Sequence, residues 1–278
     1  MKIKTVCTSL LAILCLFFTN FYLKNTAKVV DIERLKTVKS DTNPCLKRLF
    51  RAYPNAFMGV ENNAVMWADS TKTVFDDGLL KDFQTLLDKP DLEDQVCAMP
   101  YPHDTVFNTP KKNEDPGRVR EEFFFRKMYG NTEAEVKANL VEITWLPKHL
   151  NHTLKVSKIN GVAQQFTKIS EELDQHPEWV KYLKDPAGTF TWRTISGTNR
   201  LSTHSFGITI DINTAFSNYW QWDNKAWKQK GEDLDLKYIN HIPLGIVKIF
   251  EKHGFVWGGR WYHYDTMHFE YRPELLVK

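Results

Sequence analysis

Two short segments of the chain carry side chains of the types that bind metals and move protons. In the first, residues 202–213, His204 precedes an apolar stretch and Asp211 lies within it. On a strand, the isoleucines at positions 208, 210 and 212 share one face, which we expect to be buried, and Asp211 points to the other side. A carboxylate in the middle of such a strand is costly unless it is paired or ligates a metal. His204 lies in the preceding loop, from which it can fold back toward Asp211.

The second segment, residues 261–271, contains Asp265 and His268. Two histidines and one carboxylate form a suitable zinc site, with a fourth position left for water. Zinc makes such a water acidic enough to supply hydroxide near neutral pH, and a nearby carboxylate can pass its proton to a leaving amine. Each segment alone also fits a hydrogen-bonded structural residue, so the prediction of metal-assisted hydrolysis depends on their joint occurrence.

The elements that position these segments are a mixture of short helices and strands. Thr132 and Glu135 form a capping-box pattern that opens a helix, and apolar residues recur at helical spacing from Val162 to Leu173. We predict helices at 79–87, 132–140, 162–173 and 244–252, and strands at 64–67, 73–75, 141–146, 189–195, 207–213 and 268–271. Because these helices and strands do not alternate regularly, we expect an α+β fold.

The N-terminus has the pattern of an export signal. Lys2 and Lys4 precede an uncharged stretch, residues 5–23, whose centre is strongly apolar. We therefore predict a signal peptide in residues 1–24, with an uncleaved membrane anchor and a buried N-terminal helix as the alternatives. Residues 25–44 are polar and are expected to form a linker.

Composition limits the kinds of partner that this protein can have. The formal net charge of +3 is small, and no run of Lys and Arg is long enough to indicate nucleic-acid binding. A weakly basic surface is compatible with an anionic polymer such as cell wall. Aromatic residues make up 13% of the chain, which fits either a large core or a groove for an extended ligand. In an oxidising compartment, Cys45 and Cys97 either pair or remain buried thiols.

The two motifs together resemble a known peptidase family. Ser-x-His-x-x-Gly-x-x-x-Asp at residues 202–211, followed by Asp-x-x-His-Phe at residues 265–269, is similar to the zinc D-alanyl-D-alanine carboxypeptidases of the VanY type. The pattern is equally similar to that of their relatives, the L-alanyl-D-glutamate endopeptidases of phage endolysins. The resemblance covers about residues 155–275. It implies the hedgehog/DD-peptidase fold, a small α+β domain around a central antiparallel sheet.

The resemblance implies a metal centre and a catalytic base. By this resemblance His204, Asp211 and His268 are the Zn²⁺ ligands, and Asp265 matches the position of the general base. The carboxypeptidase branch tends to have Glu at the base position, whereas the endolysin branch has Asp. Asp265 therefore leaves the exact cleavage preference open.

The resemblance also implies residues that contact the substrate. Ser202 matches a residue that binds substrate, and Arg193 matches the arginine that steadies the oxyanion or the substrate carboxylate. Arg200 competes with Arg193 for that role because it lies closer to His204 in the sequence.

These inferences divide the chain and assign an activity to it. Residues 1–24 are the signal peptide or membrane anchor, 25–44 the linker, 45–150 an accessory N-terminal region and 151–278 the zinc peptidase domain. We predict an exported protein of the periplasm or cell envelope that hydrolyses peptidoglycan stem peptides. D-alanyl-D-alanine carboxypeptidase activity is the first expectation, and L-alanyl-D-glutamate endopeptidase activity is the second. A non-catalytic, zinc-stabilised wall-binding module is the alternative from another class. We expect no nucleic-acid partner, and the sequence leaves the oligomeric state open.

Overall fold

The structure, a computed structural model, describes residues 43–103, 106–230 and 234–277. The signal peptide or membrane anchor predicted at residues 1–24 lies outside these ranges, as does the predicted linker except for its last two residues. Within the described ranges, no helix has both the length and the apolar character needed to cross a bilayer.

The helices of the described residues are short, and side chains cap several of them. Asn43 accepts hydrogen bonds from the first N–H groups of one helix, and Thr132 caps another. The α-helices are α1 (Pro44–Ala52), α2 (Phe83–Asp88), α3 (Glu122–Tyr129), α4 (Glu133–Ala138), α5 (Val162–Leu173), α6 (Val180–Leu183), α7 (Trp220–Asp223), α8 (Trp227–Lys230) and α9 (Leu244–Lys252).

The strands of the described residues form three small antiparallel sheets. They are β1 (Phe57–Glu61), β2 (Ala64–Trp67), β3 (Lys72–Val74), β4 (Leu140–Trp145), β5 (His152–Ser157), β6 (Thr209–Asp211), β7 (Phe255–Trp257) and β8 (His268–Tyr271). The first sheet has the order β1-β2-β3, β4 and β5 form a hairpin, and the third sheet has the order β6-β8-β7. Helices packed with small antiparallel sheets make this an α+β structure, as predicted. The more specific hedgehog/DD-peptidase fold stays a prediction.

One buried apolar core extends through both the N-terminal and the C-terminal parts of the chain. Leu49 of α1 and Phe269 of β8 belong to the same cluster of buried side chains. The strands β4 and β5 pair along their whole length. The boundary that we placed between residues 150 and 151 therefore lies in the turn of a hairpin, and the regions on its two sides share one core.

Several elements lie where the sequence predicts them. The bounds of α5, α9, β2 and β8 agree with the predicted ranges. The capping-box helix α4 begins after Thr132 as expected, and it ends at Ala138. The helix predicted at 79–87 was placed too early, because Asp82 caps it and α2 begins only at Phe83.

The predicted strand at 189–195 is wrong. The segment forms no ladder: Thr194 makes a single antiparallel bridge with Leu201, and Gly188, just before the segment, makes another with Asp211. Its backbone is satisfied by a neighbouring turn instead of a ladder, since the Arg193 N–H donates to the side chain of Ser205 at 3.0 Å. The strand predicted at 207–213 is also shorter, and only its centre forms β6.

A disulfide joins Cys45 of α1 to Cys97, with 5.9 Å between the two Cα atoms. That separation lies within the range that disulfides require. Of the two alternatives that the sequence left open for these cysteines, the structure contains the paired form.

Candidate active site

The third sheet places two of the predicted metal ligands opposite each other. In the antiparallel pair of β6 and β8, Asp211 faces His268 directly and Ile210 faces Phe269. Cross-strand partners lie on the same face of a sheet, so Asp211 and His268 project to one side. Ile210 and Phe269 are completely buried on the other side, as are the isoleucines at positions 208 and 212. This burial confirms the apolar face that the alternation predicts.

A single helical turn positions His204. Residues Thr203–Phe206 form a 3₁₀ turn that is capped by Ser202, whose Oγ accepts from the His204 N–H at 3.4 Å. The turn ends at Gly207, which has a φ of +66°, and a Cβ at this position would lie 2.5 Å from Leu140 Cδ2. Glycine is therefore required here both by the left-handed backbone and by the close approach to β4.

Three potential ligand atoms converge although their residues are far apart in the chain. His204 Nε2 lies 3.1 Å from Asp211 Oδ2, and His268 Nδ1 lies 2.9 Å from Asp211 Oδ1. The ligand atoms of the three residues all lie within 4.8 Å of one another. His204 Nε2 is buried without a hydrogen-bond partner, because its contact with Asp211 lacks hydrogen-bond geometry. Two imidazoles and a carboxylate in this arrangement fit a divalent transition-metal ion.

The same residues interact strongly through their charges. Burial raises the pKa of Asp211, but His204 and His268 outweigh burial and hold that pKa well below its usual range. Burial lowers the pKa of His268, but hydrogen bonds to Asp211 and Glu270 outweigh burial and raise the pKa to about 9. Without a metal, His268 therefore carries a proton at neutral pH, and a metal must displace this proton to use Nδ1.

Glu270 holds the ring of His268 in place, and the sequence-based reasoning missed it. Its Oε2 lies 3.3 Å from His268 Nε2, which leaves Nδ1 to face Asp211. Arg120 binds the same carboxylate through Nε at 3.0 Å and Nη2 at 2.5 Å, and Arg272 Nη1 lies 3.2 Å away. A carboxylate behind a ligating histidine fixes the orientation of the ring. The signal in the sequence was the spacing of His268 and Glu270, which places both on one face of β8.

Asp265 lies in the loop between β7 and β8, beside the three candidate ligands. Its backbone N–H donates to Gly258 O at 3.0 Å, and its carbonyl accepts from the His268 N–H at 3.2 Å. Its Oδ1 atom is buried without a hydrogen-bond partner. Burial and, to a smaller extent, the charge of Asp211 raise the pKa of Asp265 to about 6. A buried carboxyl with this raised pKa is suited to accept a proton and give it back.

These groups line one cleft with a volume of about 320 Å³. Ser202 and Arg193 also line it, together with the candidate ligands and the candidate base. Arg200 lies elsewhere, because its Nη1 donates to Leu87 O at 2.9 Å and its Nε lies 3.3 Å from Asp88 Oδ1. The structure therefore brings together the predicted site residues with the exception of Arg200.

Residues of the N-terminal region also reach this cleft, and no local sequence pattern pointed to them. Arg118 and Arg120 both line it. In the loop that carries the candidate base, His263 Nδ1 lies 2.6 Å from Asp115 Oδ2. By its sequence position beside Asp265 and among Trp261, Tyr262 and Tyr264, His263 could either contact substrate or stack with aromatic rings. It lines a neighbouring cavity, where its ring also packs against Trp220.

Comparisons with known proteins bear on the same part of the chain. No curated protein and no solved structure matches the chain. One family model does match, over a range that covers less than half of the chain and contains His204, Asp211, Asp265 and His268. That model is described as D-alanyl-D-alanine carboxypeptidase, so residues 196–271 are similar to peptidases of this type.

Proposed function

We propose that this protein is a zinc-dependent metallopeptidase that removes the terminal D-alanine from peptidoglycan stem peptides, as a D-alanyl-D-alanine carboxypeptidase. One observation carries the proposal: His204, Asp211 and His268 bring their ligand atoms within 4.8 Å of one another in a cleft that also contains Asp265. The family match over residues 196–271 supports the class of substrate.

Each side chain of the cleft has a defined task in the proposed reaction. When bound by the two imidazoles and Asp211, Zn²⁺ supplies Lewis-acid chemistry that makes water acidic and polarises a carbonyl group. Asp265 accepts a proton from the attacking water and returns it to the leaving amine, which a pKa near 6 permits. Arg193 brings positive charge to the place where negative charge develops. The Ser202 hydroxyl hydrogen remains available to the peptide, because Oγ accepts its hydrogen bond from the backbone.

The decisive experiment removes the proposed base and keeps the metal ligands. Asp265→Asn preserves the shape of the side chain and should lower kcat by at least about 100-fold, because general-base catalysis contributes that much. Metal analysis should find zinc bound as in the wild type. The control is Glu142→Gln, an exposed position on β4, which should leave turnover unchanged. If wild-type protein binds zinc but cleaves no wall peptide, the non-catalytic wall-binding module replaces this proposal.

A second candidate function is an L-alanyl-D-glutamate endopeptidase. The aspartate at the base position, Asp265, favours it, since the endolysin branch of the resembled family has Asp there. The cleft also shares lining residues with a neighbouring cavity of about 390 Å³, which leaves room for a longer peptide; they are Arg118, Ile195, Ser196, Tyr219 and Gln221. Mass analysis of digested wall peptides separates the two activities. A carboxypeptidase releases terminal D-alanine, whereas an endopeptidase cuts an internal bond.

We also propose that the protein is exported to the cell envelope. The apolar stretch at residues 5–23 supports export, and so does the disulfide between Cys45 and Cys97, because such bonds persist in oxidising compartments. Cell fractionation combined with N-terminal sequencing would distinguish a cleaved signal peptide from a retained membrane anchor. Recovery of the protein only from the cytoplasm would contradict this proposal.

A further inference from the structure

The N-terminal region forms one wall of the cleft through the segment 114–120, from which Arg118 and Arg120 line it. This segment is tied to the C-terminal part of the chain by backbone and side-chain hydrogen bonds. The Tyr262 N–H donates to Glu114 O at 2.8 Å, and Arg272 Nη1 donates to Gly117 O at 2.8 Å. The wall therefore has a fixed position relative to the loop and the sheet that carry the candidate base and ligands.

This wall directs Arg118 into the cleft. The guanidinium Cζ lies 4.5 Å from the centre of the Trp261 ring, and Nη2 donates to His263 O at 2.6 Å. The Nε atom is buried without a hydrogen-bond partner. Among the described residues, Arg118 has no acidic side chain at ion-pair distance. Its guanidinium is thus held in place with hydrogen-bonding capacity to spare. Its charge helps to lower the pKa of Asp115 and opposes the rise in the pKa of Asp265, but it forms an ion pair with neither carboxylate.

The other arginines close to the site differ from Arg118 in this respect. Arg120 is engaged by Glu270 through two of its nitrogens. Arg200 is bound to a backbone carbonyl and to an aspartate outside the cleft. Arg193 does line the cleft, but it is exposed, and its one side-chain hydrogen bond to a described residue runs from Nη1 to the carbonyl of Thr194. Arg118 is therefore the preorganised cation of the cleft.

We propose that Arg118 binds the free carboxylate at the C-terminal end of the peptide substrate and so selects for removal of the terminal residue. This inference rests on the proposed peptidase function and goes beyond it, because it favours terminal over internal cleavage. The guanidinium fork matches a carboxylate in shape and charge. A substrate that continues past this point would present an uncharged amide, which a guanidinium binds less strongly than a carboxylate.

The experiment compares two substrates that differ in a single charge. A stem peptide ending in D-Ala-D-Ala is prepared as the free acid and as the C-terminal amide, and both are assayed with wild type, Arg118→Gln and Arg118→Lys. Arg118→Gln should lower kcat/KM for the acid by about 10- to 100-fold, mainly through KM, and change kcat/KM for the amide little. Arg118→Lys keeps the charge without the fork and should fall between wild type and Arg118→Gln. The control is Arg126→Gln, from the same region but with a surface ion pair to Glu122, which should leave both substrates unaffected.

A binding measurement makes the result independent of turnover. In the zinc-loaded Asp265→Asn protein, calorimetry should show that adding Arg118→Gln weakens binding of the dipeptide D-Ala-D-Ala by about 10- to 100-fold. If Arg118→Gln binds the dipeptide as tightly as the parent protein, the assignment is overturned. Equal losses of kcat/KM for acid and amide would overturn it as well, because they would indicate a purely structural role of Arg118 beside Trp261. If the wild type cleaves neither peptide, the proposed activity fails, while a selective loss of dipeptide binding would still support the carboxylate site.

Discussion

Replacing Glu270 by glutamine would show how strongly the buried carboxylate behind His268 supports the metal centre. The side chain of Glu270 is completely buried and accepts hydrogen bonds from Arg120, Arg272 and Thr203 in addition to its contact with His268. Glutamine preserves the shape and one acceptor oxygen. It removes the negative charge that orients the imidazole and compensates the two guanidinium groups.

The size of the effect follows from these contacts. Loss of a carboxylate behind a ligating histidine typically weakens metal binding by about 10- to 100-fold. Breaking a buried ion pair costs about 3 to 5 kcal/mol of stability. We expect a loss of stability at the lower end of this range. Arg272 keeps a 2.5 Å ion pair with Glu274, and the Arg120 side chain is 13% exposed, so that it can be solvated by water. A loss of about 3 kcal/mol corresponds to a decrease of roughly 6 to 12 °C in melting temperature for a chain of similar size.

Two measurements test this reasoning. Zinc affinity is determined by competition with a chromophoric chelator, and stability is determined by calorimetric melting of the metal-free protein. Glu142→Gln serves as the control because Glu142 is exposed and lies 3.8 Å from the exposed Lys155, so both quantities should stay at wild-type values. If Glu270→Gln binds zinc as tightly as the wild type, Glu270 does not orient His268. An unchanged melting temperature would show that the buried ion network makes no net contribution to stability.

Other features of the structure lead to four more expectations. The pKa of Asp265 is raised to about 6 without metal, and a bound cation lowers this pKa. The pH–rate profile should therefore show activity that is lost as the pH is lowered, with a midpoint below 6, because the base becomes protonated. In metal-free protein the raised pKa of His268 adds to the free energy of unfolding, and this contribution is fully present below about pH 6.5. Melting temperatures should show that this contribution is lost as the pH rises through about 9. Replacing Cys45 and Cys97 by serine opens a loop that spans 52 residues and should cost about 4 kcal/mol in denaturant titrations. Gly207→Ala places a Cβ 2.5 Å from a leucine of β4 at a φ of +66°, and should destabilise by about 1 to 3 kcal/mol.

Each of these four expectations has a result that contradicts it. If the residual activity of Asp265→Asn declines at acid pH as in the wild type, a group other than Asp265 causes the decline. If the melting temperature does not change between pH 6.5 and 9, the charge of His268 does not contribute to stability. Equal stability of the oxidised and serine-substituted proteins would mean that the disulfide does not constrain the unfolded chain. For Gly207, the matched control is Gly197→Ala, which shares a positive φ but meets no atom within 4 Å; equal losses for both would exclude the clash as the cause.

The sequence alone determined the local part of the site. The isoleucines alternate with Asp211, and this period of two residues is a property of neighbouring positions, so it predicted which face of β6 is buried. The same holds for the helical spacing of α5 and for the motif that contains Asp265 and His268. The periodic patterns predicted the elements because strand and helix periodicity is set by the backbone over a few residues. The candidate ligands followed from the joint occurrence of the two segments and from their resemblance to a peptidase family.

Only the tertiary structure decided what surrounds these residues. The segment at 189–195 has the composition of a strand, but its backbone bonds to the turn that follows it, through the Ser202 N–H to Arg193 O and the Arg193 N–H to Ser205 Oγ. The position of that turn is not specified by the residues of the segment itself. Arg120 reaches Glu270, and Arg118 reaches the cleft, across separations in the chain at which no periodicity survives. Such contacts depend on how the whole core packs. The sequence therefore left the role of residues 45–150 open, and only the tertiary structure places part of this region in the wall of the cleft.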